Sequence, residues 1–142
     1  MKVTELQIGD YIRINRTKEI VWVFEIDGDR NVINNESDGY CSEKNINIDD
    51  IEPIPITPEI LRKSGFILKS DGWLWCEEEG IDEKNYIFIQ FRKGCGDVRL
   101  VELNFVNKVL AKYEHIHYIH ELQHALRLCG LSELADNLKL EE

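Results

Sequence analysis

Pro53-Ile54-Pro55-Ile56-Thr57-Pro58-Glu59-Ile60-Leu61-Arg62-Lys63-Ser64-Gly65-Phe66 carries all three prolines of a 142-residue chain and divides it into two unlike parts. Its second half reads as a short helix with both ends marked. Thr57 suits the N-cap, Pro58 suits the first helical position, and Glu59 sets negative charge at the positive end of the helix dipole. Gly65 can take the left-handed conformation that ends a helix, and Phe66 follows where a Schellman cap places an apolar contact. Ile60, Leu61 and Phe66 would each contribute about 1.5–3 kcal/mol if fully buried, so the helix must lean on a core.

Before this segment, turn signals alternate with short β-prone runs. Leu6-Gln7-Ile8-Gly9-Asp10 reads as a turn delivering a strand from Tyr11 to Asn15. Arg16-Thr17-Lys18 turns the chain into a longer strand, Glu19 to Ile26. There Ile20, Trp22, Phe24 and Ile26 share one face, and Val21 and Val23 share the other. Asp27-Gly28-Asp29 is a hairpin signal. A short strand near Val32-Ile33, a polar loop from Asn34 to Ser42 and a weak strand at Ile46 to Ile48 complete the segment. Residues 1–52 are therefore expected to form a small, β-rich, barrel-like module of the Src-homology-3 type. The run from Asp27 also places acidic oxygens as a calcium-binding EF-hand loop begins. Val32 stands where that loop needs glycine and Asp38 where it needs a bidentate glutamate, so the hairpin turn is the better reading.

After it, residues 53–142 are expected to form an α+β module, and the two modules can pack as a single domain. Three strands, Trp73 to Cys76, Tyr86 to Phe91 and Val98 to Phe105, would make an antiparallel sheet packed with the short helix and a long one. Tyr86-Ile87-Phe88-Ile89-Gln90-Phe91 is apolar on both faces and reads as the central strand. Glu77 to Gly80 and Lys93 to Asp97 are the connecting turns. Glu77 to Glu79, Asp82 and Glu83 read as a solvated loop, and Cys95 between two glycines as turn chemistry rather than a nucleophile. The long helix is expected from about Tyr113 to Leu128, closed by Gly130, with Tyr118, Ile119, Leu122, Ala125, Leu126 and Cys129 on one apolar stripe. Ser132 then opens a short final turn through Leu138.

Composition narrows the function classes. The formal charge is −10, with 6 basic against 12 acidic residues before Pro53 and 11 against 15 from there on. Neither part offers the Lys/Arg density that phosphate backbones need, so no nucleic acid is expected on a basic patch. No run approaches a membrane span, and Met1 to Asp10 lacks the apolar core of a signal peptide. Four cysteines (Cys41, Cys76, Cys95, Cys129) are widely spaced without a C-x-x-C pair, which fits reduced thiols in the cytoplasm.

One motif suggests chemistry. His120-Glu121-Leu122-Gln123-His124 matches H-E-x-x-H on a segment expected to be helical. Histidines at i and i+4 share a helix face and can both ligate zinc, with Glu121 as general base toward metal-bound water. His117 lies one turn earlier in the expected helix. A third ligand is not evident, because no histidine follows His124 and the only later acids are Glu133, Asp136, Glu141 and Glu142. The plainer reading is a polar histidine face turned to solvent or a partner, on which His124→Ala would leave the melting temperature nearly unchanged.

Leu6-Gln7-Ile8-Gly9-Asp10-Tyr11, the stretch Pro53 to Phe66 and Tyr118-Ile119-His120-Glu121-Leu122-Gln123-His124 together resemble a family of small uncharacterised proteins. That family is frequent in gut Bacteroides-type bacteria, their phages and mobile elements. The resemblance implies no activity. Members often carry glutamine at the place of Glu121 and asparagine at that of His124, which implies that the zinc motif is incidental. The expected function is thus a non-enzymatic protein-interaction module that binds another protein or a second copy of itself. The alternatives are a zinc-dependent hydrolase using His120, Glu121 and His124, with His117 as a further ligand, and a binder of a small nucleotide-like ligand.

Overall fold

The computed structural model describes residues 2–30, 32–37, 40–70, 72–76, 86–92, 97–103 and 108–140. The acidic turn at Glu77 to Gly80 with Asp82 and Glu83, and Cys95 with its flanking glycines, lie outside them. The chain is mixed α+β and separates into two compact units. One comprises Met1–Pro55 with Tyr118–His124, and the other Ile56–His117 with Ala125–Glu142.

The first unit is built on five antiparallel strands: β1 (Tyr11–Ile14), β2 (Ile20–Asp27), β3 (Val32–Ser37), β4 (Tyr40–Asn47) and β5 (Ile51–Glu52). Their order is β4-β3-β2-β1-β5. The pairings end at β4 and β5 without joining them, so the sheet is open where a closed barrel was expected. Within the expected polar loop from Asn34 to Ser42, residues 34–37 and 40–42 are instead strand, with Asn34 opposite Asn45 and Glu36 opposite Cys41. Ladder hydrogen bonds here override weak local β-propensity. Leu6, Ile12, Val21, Val23, Ile33, Ile48 and Ile51 form the buried cluster, with Ile14, Ile26 and Ile46 packed against it. Val21 and Val23 thus face the core of this unit, whereas Phe24 is exposed. A bulge between Val23 and Glu25 explains the change of phase, because one extra residue returns Ile26 to the core side. At the β2–β3 turn, Asp27 Oδ1 accepts from the amides of Asp29 at 3.1 Å and Arg30 at 3.2 Å. That carboxylate serves the turn.

The second unit opens with α1 (Pro58–Lys63). Thr57 Oγ1 accepts from the Ile60 amide at 3.3 Å. Its other end is a Schellman cap: Phe66 N–H donates to the Leu61 carbonyl and Gly65 N–H to that of Arg62, with Gly65 at φ 99°. Strands β6 (Ile67–Lys69), β7 (Gly72–Cys76), β8 (Tyr86–Phe91), β9 (Val98–Leu103) and β10 (Val109–Ile116) follow. They form a meander of order β10-β9-β8-β7-β6. The sheet therefore has five strands rather than three, and β8 is central, with Ile87 and Ile89 buried. Gly72 is required by close approach: a Cβ there would lie 2.4 Å from the Ile89 carbonyl oxygen.

The largest departure is at β10. Tyr113 to Ile116, expected to open the long helix, pair with β9, with Tyr113 opposite Leu100 and Ile116 opposite Val98. Helix α2 accordingly runs Ile119–Leu128, and a short α3 (Ser132–Asp136) ends the chain's regular structure. Gly130 at φ 80° closes α2 with a second Schellman pair, Leu131 N–H to the Leu126 carbonyl and Gly130 N–H to that of Arg127. Burial pushes the Cys129 thiol up to about 11, so it remains protonated at neutral pH. Among the described residues, no helix is long and apolar enough to cross a membrane.

Candidate functional site

The turn entering β1 is tied down by its own backbone. Gly9 takes φ 97°, the Gln7 amide donates to Asp10 Oδ2 at 2.8 Å, and the Asp10 amide returns to the Gln7 carbonyl at 3.1 Å. Val23 of β2 holds both residues, accepting from the Gly9 amide and donating to the Asp10 carbonyl, each at 2.8 Å. The Asp10 carboxylate is left inside, 0% exposed.

The first half of α2 supplies its partners. His124 Nε2 lies 2.7 Å from Asp10 Oδ2. A carboxylate can only accept, so Nε2 carries the proton of this bond. Gln123, also 0% exposed, donates from Nε2 to the Gly9 carbonyl at 3.0 Å and accepts at Oε1 from the Tyr11 amide at 2.8 Å. It ties the first helical turns to the start of β1.

The helix begins where it does for a local reason. Leu122 N–H donates to the Tyr118 carbonyl, and Glu121 Oε1 accepts from the Tyr118 amide at 3.1 Å. This is the returning half of a capping box, which satisfies a donor that the helix cannot. Ile119 N–H reaches the Ile54 carbonyl at 2.8 Å, so the Pro53–Pro55 segment anchors the same end.

Tyr118, His120, Glu121 and His124 then line, with Glu5 and Pro53, a cleft of about 650 Å³. The Tyr118 and His120 rings stack at 6.0 Å and 7°, and the His124 ring meets His120 edge-on at 5.8 Å. His120 is only 4% exposed, and its Nδ1 is buried without a hydrogen-bond partner. Burial pushes the His120 pKa below the usual imidazole value; the carboxylates of Asp10 and Glu121 act in the opposite sense.

That shift sets the sign of a pH dependence. Below the unfolded-chain value of about 6.5, the unfolded state takes up a proton that native His120 refuses. The contribution is complete above pH ~6.5 and is lost as pH falls from there toward the lowered native pKa. The difference in melting temperature between wild type and His120→Phe should be constant above pH ~6.5, and wild type should lose stability relative to the variant below it. A constant difference throughout pH 5–8 would contradict the assignment.

The structure thus parts the histidines that the sequence placed on one face. His117 precedes α2 and is exposed. His120 is buried and His124 is bonded to a buried carboxylate, so the expected solvated stripe is not what forms. A catalytic zinc requires three protein ligands and an open position. His124 bonds Asp10 through Nε2, which leaves only its Nδ1 for an ion, and Glu121 serves the helix cap. Among the described residues, no three His, Cys, Asp or Glu side chains converge to hold one ion. Asp10 and Gln123, which organise the site, gave no signal in the sequence beyond a Gly-Asp turn and a polar residue in a helix. No protein-family model, curated protein or solved structure matches this chain.

Proposed function

We propose that this chain is a non-enzymatic, cytoplasmic interaction module encoded by a mobile element, and that the cleft beside Tyr118 receives a basic side chain of a partner protein. The observation that supports this is the cleft's lining. It sets a stacked aromatic wall, Tyr118 on His120, beside the carboxylates of Glu5 and Glu121. Aromatic faces and carboxylates together favour Lys or Arg, whose planar or compact cations gain about 0.5–2 kcal/mol from a ring. A net charge of −10 would draw such a partner in and repel nucleic acid. Glu121, the general base that a hydrolase would use, accepts from the Tyr118 amide at the helix cap.

The size of the cleft, about 650 Å³, also lies within the range of small-molecule sites, which keeps a nucleotide-like ligand as the second reading. Arrays of Arg- and Lys-containing peptides, followed by fluorescence anisotropy on the best binder, separate the two. Binding is expected to weaken with salt and to fall at least about tenfold, about 1.4 kcal/mol, in Tyr118→Ala and in Glu5→Lys. Silence on the arrays together with a melting shift on adding nucleotides would favour the second reading. Peptide binding indifferent to both substitutions would remove the cleft from the proposal.

A further inference from the structure

The residues that line the cleft all belong to the first unit, and that unit already holds them in place. His120 sits between two rings: Tyr118 lies parallel to it, 7° apart in plane, and His124 meets it edge-on. The Tyr118 backbone is set in turn by a bridge to Pro55 and by its amide, which donates to Glu121 Oε1. Tyr118 is nevertheless 38% exposed, so it offers a flat aromatic surface in a fixed orientation. Both acids of the lining are oriented too. Glu121 Oε1 accepts from the Tyr118 amide at 3.1 Å, and Glu5 Oε2 accepts from the Lys2 amide at 3.2 Å. A carboxylate has about four acceptor sites, so one amide does not exhaust either. Burial lowers the His120 pKa, and the carboxylates of Asp10, Glu121 and Glu5 oppose it. The two acids of the cleft therefore cast their fields on the ring that stacks on Tyr118.

A fixed aromatic plane beside oriented carboxylates favours a cation that is itself planar and rigid. Building on the reading of this cleft as a site for a basic side chain, we infer that its occupant is an arginine of the partner rather than a lysine, with Tyr118 as the specificity-determining residue. A guanidinium can stack on an aromatic face while its N–H donors point outward in the plane. Stacking on Tyr118 and donating to Glu5 or Glu121 are therefore compatible in one pose, and the fork of donors matches a carboxylate bidentately. A lysine ammonium is a compact, more strongly hydrated point charge. It gives up more hydration to approach the Tyr118 and His120 rings, and it has no plane to lay on them. Because the wall is ordered beforehand, little entropy is lost in assembling it around the arginine.

Three end-capped peptides, Gly-Ser-Xaa-Ser-Gly with arginine, lysine or citrulline at Xaa, separate the contributions. Lysine keeps the charge without the plane, and citrulline keeps the plane without the charge. Each is titrated into the ¹⁵N-labelled full chain at neutral pH, and the amide shifts are expected to move first at Glu5 and at residues 118–121. The arginine peptide is expected to bind at least about tenfold more tightly than either of the others. Tyr118→Leu should weaken the arginine peptide more than the lysine peptide and so compress the preference. Glu121→Gln keeps an acceptor for the Tyr118 amide and should weaken both cationic peptides alike, as the loss of a charge does. Arginine and lysine peptides binding the cleft equally would overturn this inference and leave the cleft a general site for basic side chains. An arginine preference that survives Tyr118→Leu, or citrulline binding as arginine does, would overturn it as well. If neither cationic peptide moves a cleft amide, the reading of the cleft falls with it.

Discussion

His124→Ala is expected to destabilise the protein by about 3 kcal/mol or more and to lower the melting temperature by roughly 10 °C. Asp10 is fully buried, and His124 Nε2 at 2.7 Å is its side-chain partner on α2. Removing the imidazole strips a buried carboxylate of its short hydrogen bond from α2. Such truncations are more damaging than the loss of the contact itself, because desolvation of the remaining group is no longer offset. A histidine on a solvated helix face would cost almost nothing, so this substitution separates the sequence-based expectation from the observed geometry. The companion variant makes the test specific. Asp10→Asn can still accept the Gln7 amide but carries no charge, so the double variant should recover much of what His124→Ala loses. Chemical denaturation of the four proteins gives the coupling directly. A coupling within about 0.5 kcal/mol of zero would mean that the pair does not hold the unit together.

Gln123→Leu should cost about 3 kcal/mol despite preserving volume. The leucine fits an apolar site, but it abandons the Tyr11 N–H and the Gly9 carbonyl, both of which Gln123 serves. Each buried group stripped of its partner costs about 1–3 kcal/mol. The local signature is as informative as the global one: in hydrogen exchange the Tyr11 amide should lose protection more than the amides of β3. Gln123→Glu offers a contrast. It keeps an acceptor for Tyr11 but cannot donate to Gly9 when ionised, so its penalty should grow as pH rises through the carboxylate range. A leucine variant melting within about 2 °C of wild type would show that water replaces the bridge.

Much of this fold is written in short-range chemistry. Thr57, Pro58 and Gly65 each restrict or satisfy the backbone within a few residues of themselves, so α1 and its two caps follow from the sequence alone. The same is true of Gly130 at the end of α2, of the Asp27 turn and of the apolar run that makes β8 central. The charge of −10 is likewise a property of the sequence.

The rest depended on pairings that no local window contains. Tyr113 to Ile116 have a side-chain pattern compatible with helix, and β9 made them strand by offering a ladder. A bulge at Val23/Glu25 exchanged the inner and outer faces of β2, and a bulge is invisible to a period-two count. The histidine motif shows the limit most clearly. Its i, i+4 spacing was legible, but its meaning lay in Asp10 and Gly9, 114 residues away in sequence from His124 and Gln123. A five-residue pattern states which donors share a helix face. Whether those donors meet a metal, water or a buried carboxylate is decided by what the folded chain brings against that face, and here it brought Asp10.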